Sequence, residues 1–243
     1  MMYEVAVFLV AVVAGAVASV TGFGIGSLVT PVLMLRYPAP LAVAMMGLPH
    51  VIGTGIRWWR LRHHVDMAVL RGFGLASAAG GLAGALLHAR AGAGLITSIF
   101  AILLVVSGLA GLTGFIRRLH FHGHTAWIGG LVSGLFGGLA GNQGGLRSAA
   151  LLAFPLQPAA FVATATATAL IVDAARLPVY FISKGSGLVT NAPMVALVAA
   201  GVVIGTFAGE RVLTKLPMET FRRVVATAVL LLGLGMLIGG SWR

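Results

Sequence analysis

Long stretches without a charged residue dominate the chain, and short polar connections separate them. Seven such stretches cover residues 5–35, 37–56, 72–87, 91–116, 148–172, 185–209 and 224–242. A helix that crosses a membrane needs about 20 predominantly apolar residues. Most of the stretches reach or approach that length, so the pattern predicts an all-α polytopic membrane protein.

Composition and charge agree with a protein that lies in a lipid bilayer. Only 9% of the 243 residues are charged, whereas a soluble domain carries about 25%. The net charge of +11 comes mostly from basic residues at the ends of the apolar stretches, where they act as topology signals. We therefore expect no nucleic-acid partner. The chain has no cysteine, which excludes disulfides, and its first stretch is too long for a cleavable signal peptide and lacks a basic flank.

The two halves of the chain resemble each other. "AGAVASVTGFGIGSL" (14–28) aligns with "SGLFGGLAGNQGGL" (133–146) at an offset of 119 residues, and "AAGGLAG" (78–84) aligns with "AAGVVIG" (199–205) at an offset of 121. The first alignment pairs Gly15, Gly22 and Gly26 with Gly134, Gly141 and Gly145, and the same offset pairs Arg57 with Arg176. We predict two repeats, 1–118 and 119–243, each made of one glycine-interrupted segment and three plainer ones.

Basic residues indicate that the repeats are inverted. In the first half they follow the second segment, at Arg57, Arg60, Arg62 and Arg71; in the second half they follow the third segment, at Arg211, Lys215, Arg222 and Arg223. Because cytoplasmic loops hold the excess of Lys and Arg, equivalent loops are expected on opposite sides of the membrane. An inverted repeat requires an odd number of crossings in each half.

The glycine-interrupted segments explain how each half can have an odd number of crossings. Residues 5–35 would form a single helix of about 46 Å at 1.5 Å per residue, although the hydrocarbon core is only about 30 Å thick. We predict that 5–35 and 126–154 are each two half-length helices that enter and leave on the same side. This topology puts ten Lys and Arg residues inside and four outside.

Two breaks at corresponding places indicate a binding site. Irregular backbone inside a membrane is tolerated only when it is buried in protein or lines a cavity, and paired breaks in inverted halves point to a transporter's substrate site. A helix that begins after a break offers free N–H donors to an anion. For any single glycine, close helix packing is the alternative. The predicted substrate-binding residues at the breaks are Thr21, Gly22, Gly24, Gly26, Ser27, Gly141, Asn142, Gln143 and Gly145.

The motifs "GFGIGSLVTPVLML" and "GLAGNQGGLRSAALL", one opening each half, resemble those of the TauE/SafE family of sulfite and organosulfonate exporters. The resemblance covers essentially the whole chain, including "HHVD" (63–66) after the second segment. It implies a transporter of small, often sulfur-containing anions in the cytoplasmic (inner) membrane. The expectation of export comes from the resemblance alone.

Charged residues inside the apolar segments are further candidates. Arg147 follows the second break, and its planar fork of donors suits a carboxylate or a sulfonate; it could instead extend to the interface or bind backbone carbonyls. Arg176 and Asp173 lie on one helix face. They form either an internal ion pair or a gate linked to protons, in which Arg176 binds the substrate anion as Asp173 changes protonation. His50 is a second coupling candidate. Arg57 precedes two tryptophans, which favours an interfacial anchor over gating.

Other classes of function remain as alternatives. "HFHGH" (120–124) could hold a transition metal, which leaves a divalent metal ion as an alternative substrate beside another small anion. The membrane segments contain no hydrolase or metalloprotease motif, and the chain has no P-loop. We therefore expect a secondary transporter that is not an enzyme and has no cofactor and no resident metal, while a homo-oligomer stays open.

Overall fold

The computed structural model describes residues 1–114, 124–152, 154–213 and 218–239, and these ranges contain helices and no strand. The helices are α1 (Met2–Thr21), α2 (Ile25–Met34), α3 (Ala39–Met45), α4 (Gly47–Leu61), α5 (Met67–Val69), α6 (Leu75–Arg90), α7 (Ala93–Thr113), α8 (His124–Ala140), α9 (Gly144–Leu151), α10 (Pro158–Thr190), α11 (Ala192–Leu213) and α12 (Met218–Ile238). Within the described ranges, six helical segments are long and apolar enough to cross a membrane. The prediction of an all-helical membrane protein is confirmed.

Helix α10 differs from the pattern of uncharged stretches. The sequence placed separate segments at 148–172 and 185–209, but one helix runs without interruption from Pro158 to Thr190. Asp173 and Arg176 lie in its middle and are buried. They do not end the helix, because they pair with each other inside the protein.

Both predicted interruptions are present at the glycine clusters. Helix α1 ends at Gly22 (φ 80°), and Gly24 (φ 120°) precedes α2; helix α8 ends at Gly141 (φ 73°). Glycine adopts such positive φ angles without the steric penalty of a Cβ atom. The prediction of two half-length pieces is wrong for the first segment, because the 20 residues of α1 extend about 30 Å, enough to cross the hydrocarbon core.

The first broken segment folds back on itself. The hydroxyl of Tyr3, near the start of α1, donates to the carbonyl oxygen of Val32 near the end of α2, over 3.0 Å. Arg36, just after α2, lies 3.3 Å from the carboxylate of Glu4 and stacks over the Tyr3 ring. The two ends of the segment therefore lie side by side.

The two halves of the chain are packed into each other. Helix α1 packs along α11, α8 packs along α6, and α7 packs along α12. Glycines make the approach close: Gly15 faces the backbone of Val202 between α1 and α11, and Gly138 faces the backbone of Gly81 between α8 and α6. Small residues allow such close contact between membrane helices. Each half thus packs its broken segment against the third segment of the other half.

Candidate functional site

The two breaks lie against each other in the interior. The hydroxyl of Ser27, in the first turn of α2, donates to the amide oxygen of Asn142 over 3.2 Å. From α9, Nη2 of Arg147 donates to the carbonyl oxygen of Gly22 over 3.4 Å. The structure therefore brings residues 115 and 125 positions apart in sequence, from both halves, into one site.

Glycines make this contact possible. A Cβ atom on Gly26 would lie 3.0 Å from the carbonyl oxygen of Gly141, and the side chain of Phe23 lies directly on Gly144. Of the predicted glycines, Gly24 and Gly26 are buried, while Gly22, Gly141 and Gly145 are half-buried. The backbones of the two broken segments therefore pack directly against each other where the segments meet.

Thr21 has a local role in the structure. Its hydroxyl lies 3.0 Å from the carbonyl oxygen of Val17 and 2.7 Å from that of Phe23, and it accepts a hydrogen bond from the Phe23 amide over 3.3 Å. These contacts close the end of α1. Unlike Ser27, Thr21 reaches no residue of the second break through these bonds.

Two helix N-termini converge at the breaks. The first helical bond of α2 runs from the amide of Leu28 to Gly24, and that of α9 runs from the amide of Arg147 to Gln143. The amides before these positions have no acceptor within their own helix, and no side chain caps either helix. Each N-terminus carries a partial positive charge, so the junction favours a negatively charged group.

Buried donors without partners surround the same junction. Arg147 is only 2% exposed, and Asn142 and Gln143 are also buried. Nε and Nη1 of Arg147, Nδ2 of Asn142 and both polar atoms of the Gln143 side chain have no hydrogen-bond partner. Each unsatisfied buried group costs about 1–3 kcal/mol, and such groups are rare in folded proteins. A ligand rich in acceptors would satisfy these donors.

Each carboxylate oxygen of Asp173 contacts a basic side chain. Its Oδ1 atom accepts from Arg176, at 2.9 Å from Nε and 2.7 Å from Nη2. Its Oδ2 atom lies 2.7 Å from Nδ1 of His50 on α4. The predicted ion pair on one face of α10 is confirmed. No carboxylate in the described residues forms an ion pair with Arg147.

Arg57 and Arg176 make equivalent contacts in the two halves. Arg57 donates to the carbonyl oxygen of Ala18 at the end of α1, and Arg176 donates to that of Gly137 at the end of α8, over 2.5 Å. Ala18 and Gly137 are themselves 119 residues apart. The expectation of an interfacial anchor at Arg57 is wrong, because the side chain is 4% exposed. Because Arg57 is buried in the protein, the predicted number of Lys and Arg residues on the inside falls from ten to nine.

Sequence reasoning missed two buried residues near the second break. His88 on α6 and Tyr180 on α10 both bind carbonyl oxygens in the last turn of α8, those of Leu139 and Gly138. His88 stands near Arg90 at the end of a plain apolar segment. Nothing in that local pattern distinguishes it from an interfacial residue.

Metal ligands do not gather in the part of the chain that the structure describes, where no three His, Asp or Glu residues lie together. The "HFHGH" motif falls outside that part, except for His124. Asp66 of "HHVD" caps α5, because its carboxylate accepts from the amides of Ala68 and Val69 over 3.0 and 2.9 Å. A cavity of about 240 Å³ between α3, α4, α10 and α11 has an apolar lining that includes none of the site residues.

The fold and the site define a polytopic helical membrane protein with a buried cationic site between two broken helices. Residues 7–236 match the family described as Sulfite exporter TauE/SafE, and the chain belongs to that family. No curated protein and no solved structure matches the chain. Membership implies a membrane exporter of sulfite or a related anion.

Proposed function

We propose that this protein is a secondary transporter of the cytoplasmic membrane that binds a small sulfur oxyanion, sulfite or an organosulfonate, between its two breaks. The observation that carries the proposal is Arg147, a buried cation that has two unsatisfied donor atoms and no carboxylate partner in the described residues. The unsatisfied amide nitrogens of Asn142 and Gln143 add neutral donors. Oxygens of a sulfite or sulfonate group accept hydrogen bonds from all of these.

The buried charges favour a dianion over a monoanion. Among the described side chains, Arg57, Arg147 and Arg176 are buried together with one carboxylate, that of Asp173, which leaves two positive charges when His50 is neutral. Isolated charges are costly to bury. A dianion such as sulfite would neutralise both charges, whereas a monoanionic sulfonate would neutralise one.

Alternating access between two inverted repeats, 1–118 and 119–243, explains how the buried site reaches both sides. The reversed distribution of basic loops supports the inversion, and so does the reciprocal packing of α1 on α11 and of α8 on α6. The described conformation buries Asn142, Gln143 and Arg147. Transport therefore requires α2 and α9 to move away from their neighbours on one side at a time.

Proton coupling through His50 and Asp173 supplies the driving force in this proposal. His50 binds one carboxylate oxygen of Asp173 and Arg176 binds the other, so protonation at His50 or Asp173 changes how firmly Arg176 is held. Arg57 acts on the first break in the equivalent position. If Asp173→Asn leaves flux driven by a pH gradient unchanged, this assignment is wrong.

Flux into proteoliposomes tests the proposal. The panel consists of sulfite, thiosulfate, a small sulfonate and a carboxylate, with a divalent metal ion as the alternative substrate. We expect saturable flux of a sulfur oxyanion in the wild type, lost in Arg147→Met and retained in Arg90→Met, which removes an exposed arginine of α6. Absence of flux for every anion, or full flux in Arg147→Met, would contradict the proposal.

A further inference from the structure

Side chains from neighbouring helices bind the end of α8. The last carbonyl oxygens of a helix have no amide partner within it. At the end of α8, three successive carbonyl oxygens accept from side chains: Gly137 from Arg176, Gly138 from Tyr180, and Leu139 from His88. Helices α6 and α10 therefore hold the second break in place through side-chain hydrogen bonds.

His88 differs from the other two because both of its ring nitrogens face acceptors. The residue is fully buried; its Nδ1 lies 2.8 Å from the carbonyl oxygen of Leu139, and its Nε2 lies 3.0 Å from that of Pro40. A carbonyl oxygen can only accept, and a neutral imidazole has a single N–H to donate. Both contacts are hydrogen bonds only when both nitrogens carry a proton.

We propose that His88 is a proton-binding residue that fastens the second break to the start of α3. With the extra proton, the ring ties Leu139, two residues before Gly141, to Pro40 at the beginning of α3. Without it, one of the two carbonyl oxygens faces a nitrogen lone pair and is released. Because the second break forms part of the proposed anion site, this inference rests on the proposed function where it concerns transport.

The charged surroundings of His88 come from a small number of elements. Burial opposes a further positive charge on His88 most strongly, and the cations Lys184 and Arg176 of α10 oppose it as well. Helix α10 also contributes the Tyr180 ring, whose centroid lies 4.8 Å from that of His88. On α6 itself, Arg90 is nearby in sequence. Helices α3 and α7 carry no charged or titratable side chain, and α8 carries only His124 at its far end. Against the cations stand two carbonyl dipoles at hydrogen-bond distance.

In the described residues, the first break has no histidine in the position equivalent to His88. The offset of 121 that aligns the third segments places Gly209 at the position of His88. Gly209 packs directly on the backbone of Ala16 and on the Ser19 hydroxyl of α1. At the equivalent contact α11 thus meets α1 without an intervening side chain. Binding of a proton at His88 therefore acts on one break and not on the other.

The protonation state is tested on the full-length protein in detergent, with histidine labelled in its ring nitrogens. The His88 resonance is identified by its loss in His88→Gln and by its proximity to the Tyr180 ring. We expect two N–H groups on this ring at acidic pH and conversion to one as the pH rises. A ring with one N–H throughout the range from about pH 5 to 8, where histidine ordinarily titrates, overturns the inference.

Stability against pH provides the second readout. As the pH rises and the second proton leaves, the melting temperature of the wild type relative to His88→Gln should change by about 2–4 °C, which is the size expected for one buried hydrogen bond in a chain of this length. His63→Gln, at an exposed position, is the control and should keep the wild-type profile. A difference between wild type and His88→Gln that stays constant with pH would show a purely structural role and overturn the inference.

Flux separates this inference from the proposed function. A sulfonate, whose charge is constant over the range, should be transported in a pH-dependent manner by the wild type and by His63→Gln. In His88→Gln the dependence should be smaller, because only the part that comes from His50 and Asp173 remains. If flux is present but the His88 ring is neutral throughout, the inference fails and the function stands. If the ring is doubly protonated but no anion is transported, the function fails and His88 remains a proton-binding residue.

Discussion

Replacement of Arg147 by methionine should have opposite effects on stability and on anion binding. The side chain is 2% exposed, and its one hydrogen bond, to the Gly22 carbonyl oxygen, is long at 3.4 Å. Loss of such a bond costs about 0.5–1.5 kcal/mol at most. Substitution of a buried charge by an apolar side chain of similar volume is often stabilising, by about 1–4 kcal/mol. Without an anion, Arg147→Met should therefore gain about 1–3 kcal/mol of unfolding free energy.

Anion binding should weaken strongly in the same variant. Two donors of Arg147, Nε and Nη1, have no partner in the protein, and a hydrogen bond to a charged group contributes about 1.5–3 kcal/mol. Loss of both corresponds to binding that is weaker by about 10²- to 10⁴-fold. An arginine that served only to bind Gly22 would give neither result, because its removal would lower stability and leave binding unchanged.

Thermal denaturation in detergent, with and without sulfite, measures both effects. Sulfite at about 100 times its dissociation constant should stabilise the wild type by about 2.7 kcal/mol. Arg147→Met should melt higher than the wild type in the absence of sulfite, by about 2–4 °C per kcal/mol, and should not respond to its addition. Arg90→Met should respond as the wild type does. A variant that melts lower without sulfite and still responds to it would refute the reasoning.

The remaining predictions concern the breaks and the buried ion pair. Gly22→Ala and Gly141→Ala each place a Cβ atom at a positive φ and should lower stability by about 1–2 kcal/mol; unchanged melting of both would show that the breaks relax freely. Asp173→Asn leaves Arg176 as a third buried cation without a carboxylate partner in the described residues and should cost about 3–5 kcal/mol. The double variant Asp173→Asn/Arg176→Gln should recover most of this loss, and equal melting of the single and double variants would contradict the prediction. Ser27→Ala removes the hydrogen bond across the breaks and should cost about 1 kcal/mol in chemical denaturation, whereas a loss as large as that of Asp173→Asn would not fit a single neutral bond.

The hydrophobic pattern predicted the helical class and the positions of the breaks because both depend on local chemistry. An uncharged stretch too long for one crossing has to be interrupted, and clustered glycines show where. Segment ends were less predictable: the uncharged stretches stop at Val172 and start again at Gly185, although α10 is continuous through both positions. A charge ends a membrane segment only when it needs water, and Asp173 does not, because His50 and Arg176 bind it.

Residues whose hydrogen-bond partners lie far away in sequence were difficult to assign from the sequence alone. The sequence identified Arg147, Asn142 and Gln143 through their position after a glycine break, which is a local signal. It misplaced Arg57, since the carbonyl group that this arginine binds lies 39 residues earlier and the adjacent tryptophans suggested an interface. His88 had no signal at all, because its partners, Leu139 and Pro40, are 51 and 48 residues away.

The two halves share the residues that shape the breaks but differ in the polar residues beside them. Positions that shape the breaks are kept at the offset of 119: the left-handed glycine and the arginine that binds the last turn of the preceding helix both occur twice. Positions that carry polar chemistry are not kept. Arg147 corresponds to Leu28, Asn142 to Phe23, and Asp173 to Thr54.

This division agrees with the proposal of one anion site between two similar halves. If both breaks carried an arginine equivalent to Arg147, four buried arginines would surround the junction with one carboxylate in the described residues, that of Asp173, and a dianion would be held too firmly to leave. With the polar donors in the second half only, the first half contributes N–H groups and the Ser27 hydroxyl, which bind less strongly than a guanidinium. In the proposed transporter the anion would be held mainly by α9 and its break, so movement of α9 would decide when the anion is released.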